Sequence, residues 1–196
     1  MGEASRDPLM EATRAEVVAY GLRRATMTSI AKRAGLSRAT LYRRAESTQQ
    51  LVLDALAAEF ARILDEAAEA ASGGSPEHAR ARLVAITEHG IRRLWGDGLV
   101  RALLDHDPEL LLPYLVDRLG RSQEVVVALM AAEIGRAQSD GSARAGDPRT
   151  LAVVIVQALT PFVVGRRLLE GTAGQADWPT EAARLVDAYL TPTASP

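Results

Sequence analysis

The chain has 196 residues, 47% of them hydrophobic and 4% aromatic, no cysteine and a net charge of −2. That length buries a sizeable core in one or two domains, and the lack of cysteine excludes a disulfide framework, a thiolate metal site and a cysteine nucleophile. The N-terminus has no apolar signal core, and the greasiest stretch, 151–165, contains Gln157, Thr160 and Pro161 and falls short of the ~20 residues of a bilayer span, so the expectation is a soluble, cytoplasmic protein.

Residues 1–6 read as a loose leader. Asp7-Pro8 starts the first helix, with Asp as N-cap and Pro at the first helical position. Leu9, Thr13, Val17 and Tyr20 follow at helical spacing as a core stripe, and Gly21 ends the helix. Thr26 is the N-cap of a second helix, in which Ile30, Ala31 and Ala34 share one face. Gly35 stops it, Leu36 fills the corner, and Ser37 caps a third helix over 38–44 with Leu41 inward. Two short helices joined by a tight Gly-containing turn form a helix-turn-helix, whose second helix enters the DNA major groove.

Charge supports that reading. From Tyr20 to Ala45 there are seven basic residues (Arg23, Arg24, Lys32, Arg33, Arg38, Arg43 and Arg44) and no acid. Lys32 is the only lysine, so the chain prefers Arg throughout, but this preference does not explain why acids vanish from one window. A basic patch in an acidic protein is an electrostatic footprint for phosphates. Thr26, Thr28 and Tyr42 carry hydroxyls at helix starts and edges and are assigned to phosphates. Arg38 and Arg43 are assigned to base edges, Thr40 to a thymine methyl, and Arg44 is left between the two roles.

Ser47 to Gln50 reads as a capping box opening a fourth helix to about 71, with Leu53, Leu56, Phe60, Ile63, Leu64 and Ala67 on its buried side. Residues 72–76 break the chain. A fifth helix runs over 76–95, a short sixth over 99–105, and a seventh element starts at Asp107-Pro108, is split by Pro113 and continues to about 137. A polar, disorder-prone loop covers 139–146. Asp147-Pro148 starts an eighth helix to 170, and a ninth spans 179–190 before a tail. The fold class is all-α, about nine helices with no strand, divided into a DNA-binding domain at 1–48, a C-terminal domain at 49–190 and a tail at 191–196.

Asp105, His106 and Asp107 are metal-ligand types, but neighbours on a helix diverge and Asp107 is expected to cap the next element. No catalytic motif is present, so no metal, cofactor or enzymatic activity is expected.

Residues 9–56 resemble the DNA-binding domain of the TetR family of transcriptional regulators. The resemblance is carried by Gly21, Thr26, Ile30-Ala31, Ala34-Gly35-Leu36, Ser37, Thr40-Leu41-Tyr42, Ser47 and Leu51. Two positions depart from the family pattern. Ala45 stands where an aromatic residue or Val is usual. Thr48 stands where Lys often contacts a phosphate, which leaves that contact to Arg43 or Arg44. The resemblance implies a repressor released from a palindromic operator by a small-molecule ligand, a homodimer through the last two helices, and a pocket in the C-terminal domain. Large or polar groups on apolar faces are the pocket candidates: Phe60, His89, Trp95, His106, Tyr114, Gln157, Thr160 and Phe162. The helix at 148–170 is apolar nearly all round and fits such an interface, or a central core position. The other readings are a regulator governed by a protein partner and a small helical enzyme.

Overall fold

The computed structural model describes residues 7–74, 76–113, 118–172 and 176–192. The leader at 1–6, the pocket candidate Tyr114 and tail residues 193–196 lie outside these. The chain is all-α, and the described residues form ten α-helices and one 3-10 turn. They are α1 (Pro8–Tyr20), α2 (Met27–Arg33), α3 (Arg38–Arg44), α4 (Thr48–Gly73), α5 (Ala79–Gly96), α6 (Gly98–His106), the turn Pro108–Leu110, α7 (Arg121–Ser139), α8 (Pro148–Val164), α9 (Arg166–Thr172) and α10 (Trp178–Leu190).

The chain divides into two compact units that do not follow sequence order. The first joins Met1–Glu59 with Asp97–Ser122, and the second joins Phe60–Gly96 with Gln123–Pro196. In the first unit α2 packs between α1 and α3, and α6 lies against α1. Its core is Leu9, Met27, Ile30, Ala31, Leu41, Ala45 and Leu51, with Leu36 packed at the edge. Ala45 is itself buried there. Tyr20 does not join the stripe of α1: it is 55% exposed, whereas Leu9, Thr13 and Val17 are buried. In the second unit α10 packs chiefly on α5, and Leu64, Ala67, Ala71 and Ile86 are flanked by Val125, Val126 and Leu129.

Three local features differ from the sequence reading. The 148–170 helix breaks at Gly165. Pro161 sits inside α8 and has no N–H to donate, and the chain bends back so closely that a Cβ at Gly165 would lie 2.7 Å from the Pro161 carbonyl oxygen. Only glycine fits there. The Ser47 capping box is half made: Ser47 Oγ accepts from Gln50 N at 3.1 Å, but the Gln50 amide donates forward to Asp54 at 3.1 Å. The loop at 139–146 is closed by hydrogen bonds, with Gln138 donating to the carbonyls of Arg144 and Gly146 and Arg144 N donating to Leu190 O.

α8 is apolar on most of its surface but is not covered all round within one chain. Leu151, Ala152, Ile155, Val156 and Leu159 are buried. Val154, Ala158, Pro161 and Val164 are exposed at helical spacing, and Leu168 of α9 extends the line at 72% exposure. On α10, Leu185 is 53% exposed.

Candidate nucleic-acid interface

The helix-turn-helix is built by its caps. Thr26 Oγ1 accepts from Ser29 N at 3.1 Å, and Ser29 Oγ accepts from Thr26 N at 3.0 Å, a reciprocal box that fixes the start of α2. Gly35, at φ 67, makes the left-handed corner that ends the helix. Ser37 Oγ then accepts from Thr40 N at 3.1 Å and starts α3. Leu41 is fully buried and fixes which face of α3 looks outward.

Arg38, Tyr42, Arg43 and Arg44 are exposed on α3, as are Thr26 and Thr28 around the start of α2. Thr40 and Thr48 are half-buried. The Thr40 hydroxyl is engaged, 2.8 Å from Ser37 Oγ, so its methyl is the group left for an apolar contact.

The cations of the window fall into two sets. Arg23, Arg33 and Arg44 each meet a carboxylate from outside the window. Arg33 Nε donates to Glu16 at 2.7 Å, and this hydrogen bond raises the guanidinium pKa. Arg44 Nη2 lies 2.6 Å from Asp7 Oδ2. Arg23 reaches Asp107 at 3.6 Å and Glu109 at 3.2 Å. Arg24, Lys32, Arg38 and Arg43 have no such partner among the described residues. They remain available to phosphates or bases.

Sequence reasoning missed the acidic contributors. Asp7 keeps the cap role its place before Pro8 implies, accepting from Leu9 N at 2.9 Å. Asp107 stands at the expected N-cap position of the 3-10 turn, with its backbone carbonyl accepting from Leu110 N. Its side chain makes no cap bond to the 3-10 turn. It accepts instead from Leu22 N at 3.2 Å, in the α1–α2 loop. A residue 85 positions away leaves no local signal for this contact.

The described pocket candidates do not all fall in one unit. His106 belongs to the first, and Phe60, His89, Trp95, Gln157, Thr160 and Phe162 to the second. Phe60, Trp95, Thr160 and Phe162 are half-buried, whereas His89, His106 and Gln157 are exposed. Trp95 Nε1 donates to Phe162 O at 2.8 Å, near the break between α8 and α9. Thr160 Oγ1 donates back to Val156 O at 2.7 Å.

Residues 9–55 match the family model described as bacterial regulatory proteins, tetR family. Over nearly its whole length the chain is similar to an uncharacterized HTH-type transcriptional regulator of Mycobacterium bovis, at 32% identity across 93% of this chain and 92% of that protein. The chain belongs to the TetR family. It is a helix-turn-helix transcriptional regulator. The fold agrees with two solved structures of the family. The transcriptional repressor QsdR of R. erythropolis superposes with a TM-score of 0.68, at 19% identity over 97% of this chain and 98% of that one. The repressor AlkX of a Dietzia strain gives 0.64, at 20% identity over 96% and 95%. TetR regulators bind DNA operators, typically as dimers, and bind small-molecule ligands. No helix among the described residues is long and apolar enough to cross a membrane.

Proposed function

We propose that this TetR-family protein is a cytoplasmic, dimeric repressor that reads a two-fold operator with α3 and is released from it by a small-molecule ligand. The observation that carries the reading is the outer face of α3, where Arg38, Tyr42 and Arg43 are exposed beside a capped α2 start. Arg38 and Arg43 grip base edges, Thr40 presents a methyl to thymine, Thr26, Thr28 and Tyr42 hold phosphates, and Thr48 offers only a hydroxyl at the start of α4. The DNA-binding domain is 1–48, the ligand-binding and dimerisation domain is 49–190, and 191–196 is a tail.

The second copy docks on α8 and α10. The line of Val154, Ala158, Pro161 and Val164, with Leu185 on α10, supports this, because an exposed apolar stripe of that length is a liability on a monomer. A helix-turn-helix protein reads two half-sites a helical turn apart as a dimer. The ligand site draws on Phe60, Trp95, Thr160 and Phe162 of the second unit, with His89 and Gln157 as its polar candidates. The half-buried aromatics favour an apolar ligand held by few polar groups. The test is selection of DNA from a randomised pool by the purified protein. A palindromic motif bound by a dimer supports the reading. Binding with no sequence preference sinks it.

A further inference from the structure

Helix α6 lies downstream of α4 and α5 in sequence, yet it packs in the same compact unit as the helix-turn-helix. It is flanked by two buried aspartates. Asp97 is 6% exposed and Asp107 is 3% exposed. Burying a carboxylate is costly unless donors meet it, and both sets of donors include groups from α1 or the loop after it. Asp97 caps α6 by accepting from Val100 N at 2.9 Å and accepts from Arg14 Nη2 of α1 at 3.0 Å. Asp107 accepts from Leu22 N at 3.2 Å and pairs with Arg23 Nε at 3.6 Å. Glu109 adds a second carboxylate to Arg23 at 3.2 Å.

The loop these groups hold is short. Gly21 closes α1, and Ala25 N donates back to Gly21 O at 3.1 Å. The next residue is Thr26, the cap of α2. Leu22 N is therefore a loop donor met by a carboxylate from outside the helix-turn-helix, and the Thr26 end of α2 follows directly from where that loop is held.

We propose that Asp107 is a positioning residue for DNA recognition: from the end of α6 it sets the α1–α2 loop, and with it the phosphate-facing start of α2, while Asp97 holds the other end of α6 to Arg14. The proposal rests on the reading of α2 and α3 as the DNA-facing elements. Asp107 touches no DNA. It acts through Leu22 and Arg23, and it makes the geometry of the reading head depend on a segment that the N-terminal residues do not contain. Arg23, 79% exposed in its side chain, is occupied by Asp107 and Glu109 and serves as a tether more than as a phosphate contact.

The experiment uses the full chain, its own selected operator and a pool of operators with varied spacing between half-sites. The variants are Asp107→Ala, Asp107→Asn, which keeps an acceptor for Leu22 N, and Glu109→Gln. Asp107→Ala weakens operator binding roughly tenfold, the ratio expected for losing a hydrogen bond to a charged group. It leaves the slope of log affinity against log salt unchanged and lets spacings a base pair away compete. Asp107→Asn recovers part of the affinity, and Glu109→Gln changes it little. Hydrogen exchange at the Leu22 amide is slow in the parent and fast in Asp107→Ala, a readout independent of DNA. If Asp107→Ala does not fold, the same comparison is made with Asp107→Asn, for which a roughly threefold loss and broadened spacing are expected. Unchanged affinity and spacing in the folded variants overturn the proposal, as does an unprotected Leu22 amide in the parent. A parent that selects no operator overturns the DNA-interface reading instead, with the Leu22 exchange result standing apart from it.

Discussion

Arg44 Nη2 stands 2.6 Å from Asp7 Oδ2, so the last residue of α3 is tied to the N-cap of α1. Asp7 serves both helices, because its other oxygen accepts from Leu9 N. Arg44 belongs to the acid-free window in sequence and to an ion pair in space. We propose that it pins α3 rather than reads bases. Since both partners are partly exposed, at 46% and 36%, the pair contributes about 0.2–1 kcal/mol to stability. A double-mutant cycle with Asp7→Ala and Arg44→Ala, followed by denaturant unfolding, is expected to give a coupling inside that range. Additive effects would remove the pin.

Arg38 and Arg43 differ, because no carboxylate among the described residues meets them. Arg38→Ala or Arg43→Ala is expected to cost ~1–3 kcal/mol on the operator and to relax the preference at one base pair per half-site. Tyr42→Phe weakens all sequences about equally. Binding selections on randomised DNA for each variant check this. Retention of the parental sequence preference by both arginine variants would make them phosphate clamps.

Salt separates the two sets of cations. Affinity falls with log salt by a slope of about −0.9 per phosphate contact. Arg24→Ala and Lys32→Ala are expected to flatten the slope by about one contact each per half-site, and Arg33→Ala, whose guanidinium is held by Glu16, is expected to leave it unchanged. Fluorescence anisotropy across a salt series measures the slopes. Equal flattening by all three would mean that the ion pairs open on DNA.

Val154 and Leu185 are exposed, whereas Val156 and Leu159 are buried within the protomer. A glutamate at Val156 or Leu159 is therefore expected to unfold the chain and tests nothing about assembly. Val154→Glu with Leu185→Glu is expected to give a folded monomer, since each dimer would bury like charges at the seam. Light scattering with circular dichroism decides. A soluble dimer would place the interface elsewhere.

Acid acts on Asp97. Burial works against its charge, but hydrogen bonds with Glu59, Val100 N–H and Arg14 more than offset this and hold its pKa below the ordinary value. A lowered folded-state pKa gives stability that is present above the unfolded value, about 3.9, and is lost as pH falls through the folded one. Unfolding free energy is expected to drop below about pH 4, and Asp97→Asn is expected to lose the part of that slope due to this residue. An unchanged slope in the variant would show that Asp97 carries none of it.

The helices of the reading head were legible because each is set by neighbours in sequence. Thr26, Gly35 and Ser37 impose caps and a corner within a few residues, and Leu41 fixes the inward face of α3 by helical period. The half-made Ser47 box shows the limit of such rules, since Asp54 competed for the Gln50 amide from one turn on.

Capping and periodicity act over a few residues, so the short helices of the helix-turn-helix and its cation-rich window are legible before the chain folds, whereas the break at Gly165 is not. Which of these cations meet a carboxylate depends on the closed fold. Asp7, Glu16, Asp107 and Glu109 lie outside the window and are folded back onto Arg44, Arg33 and Arg23. The exposed side of α8 was decided there too, because an apolar helix states how much it buries but not which face its own chain leaves uncovered. Charge pairing and face selection depend on distances through space, and those exist only once the chain has closed.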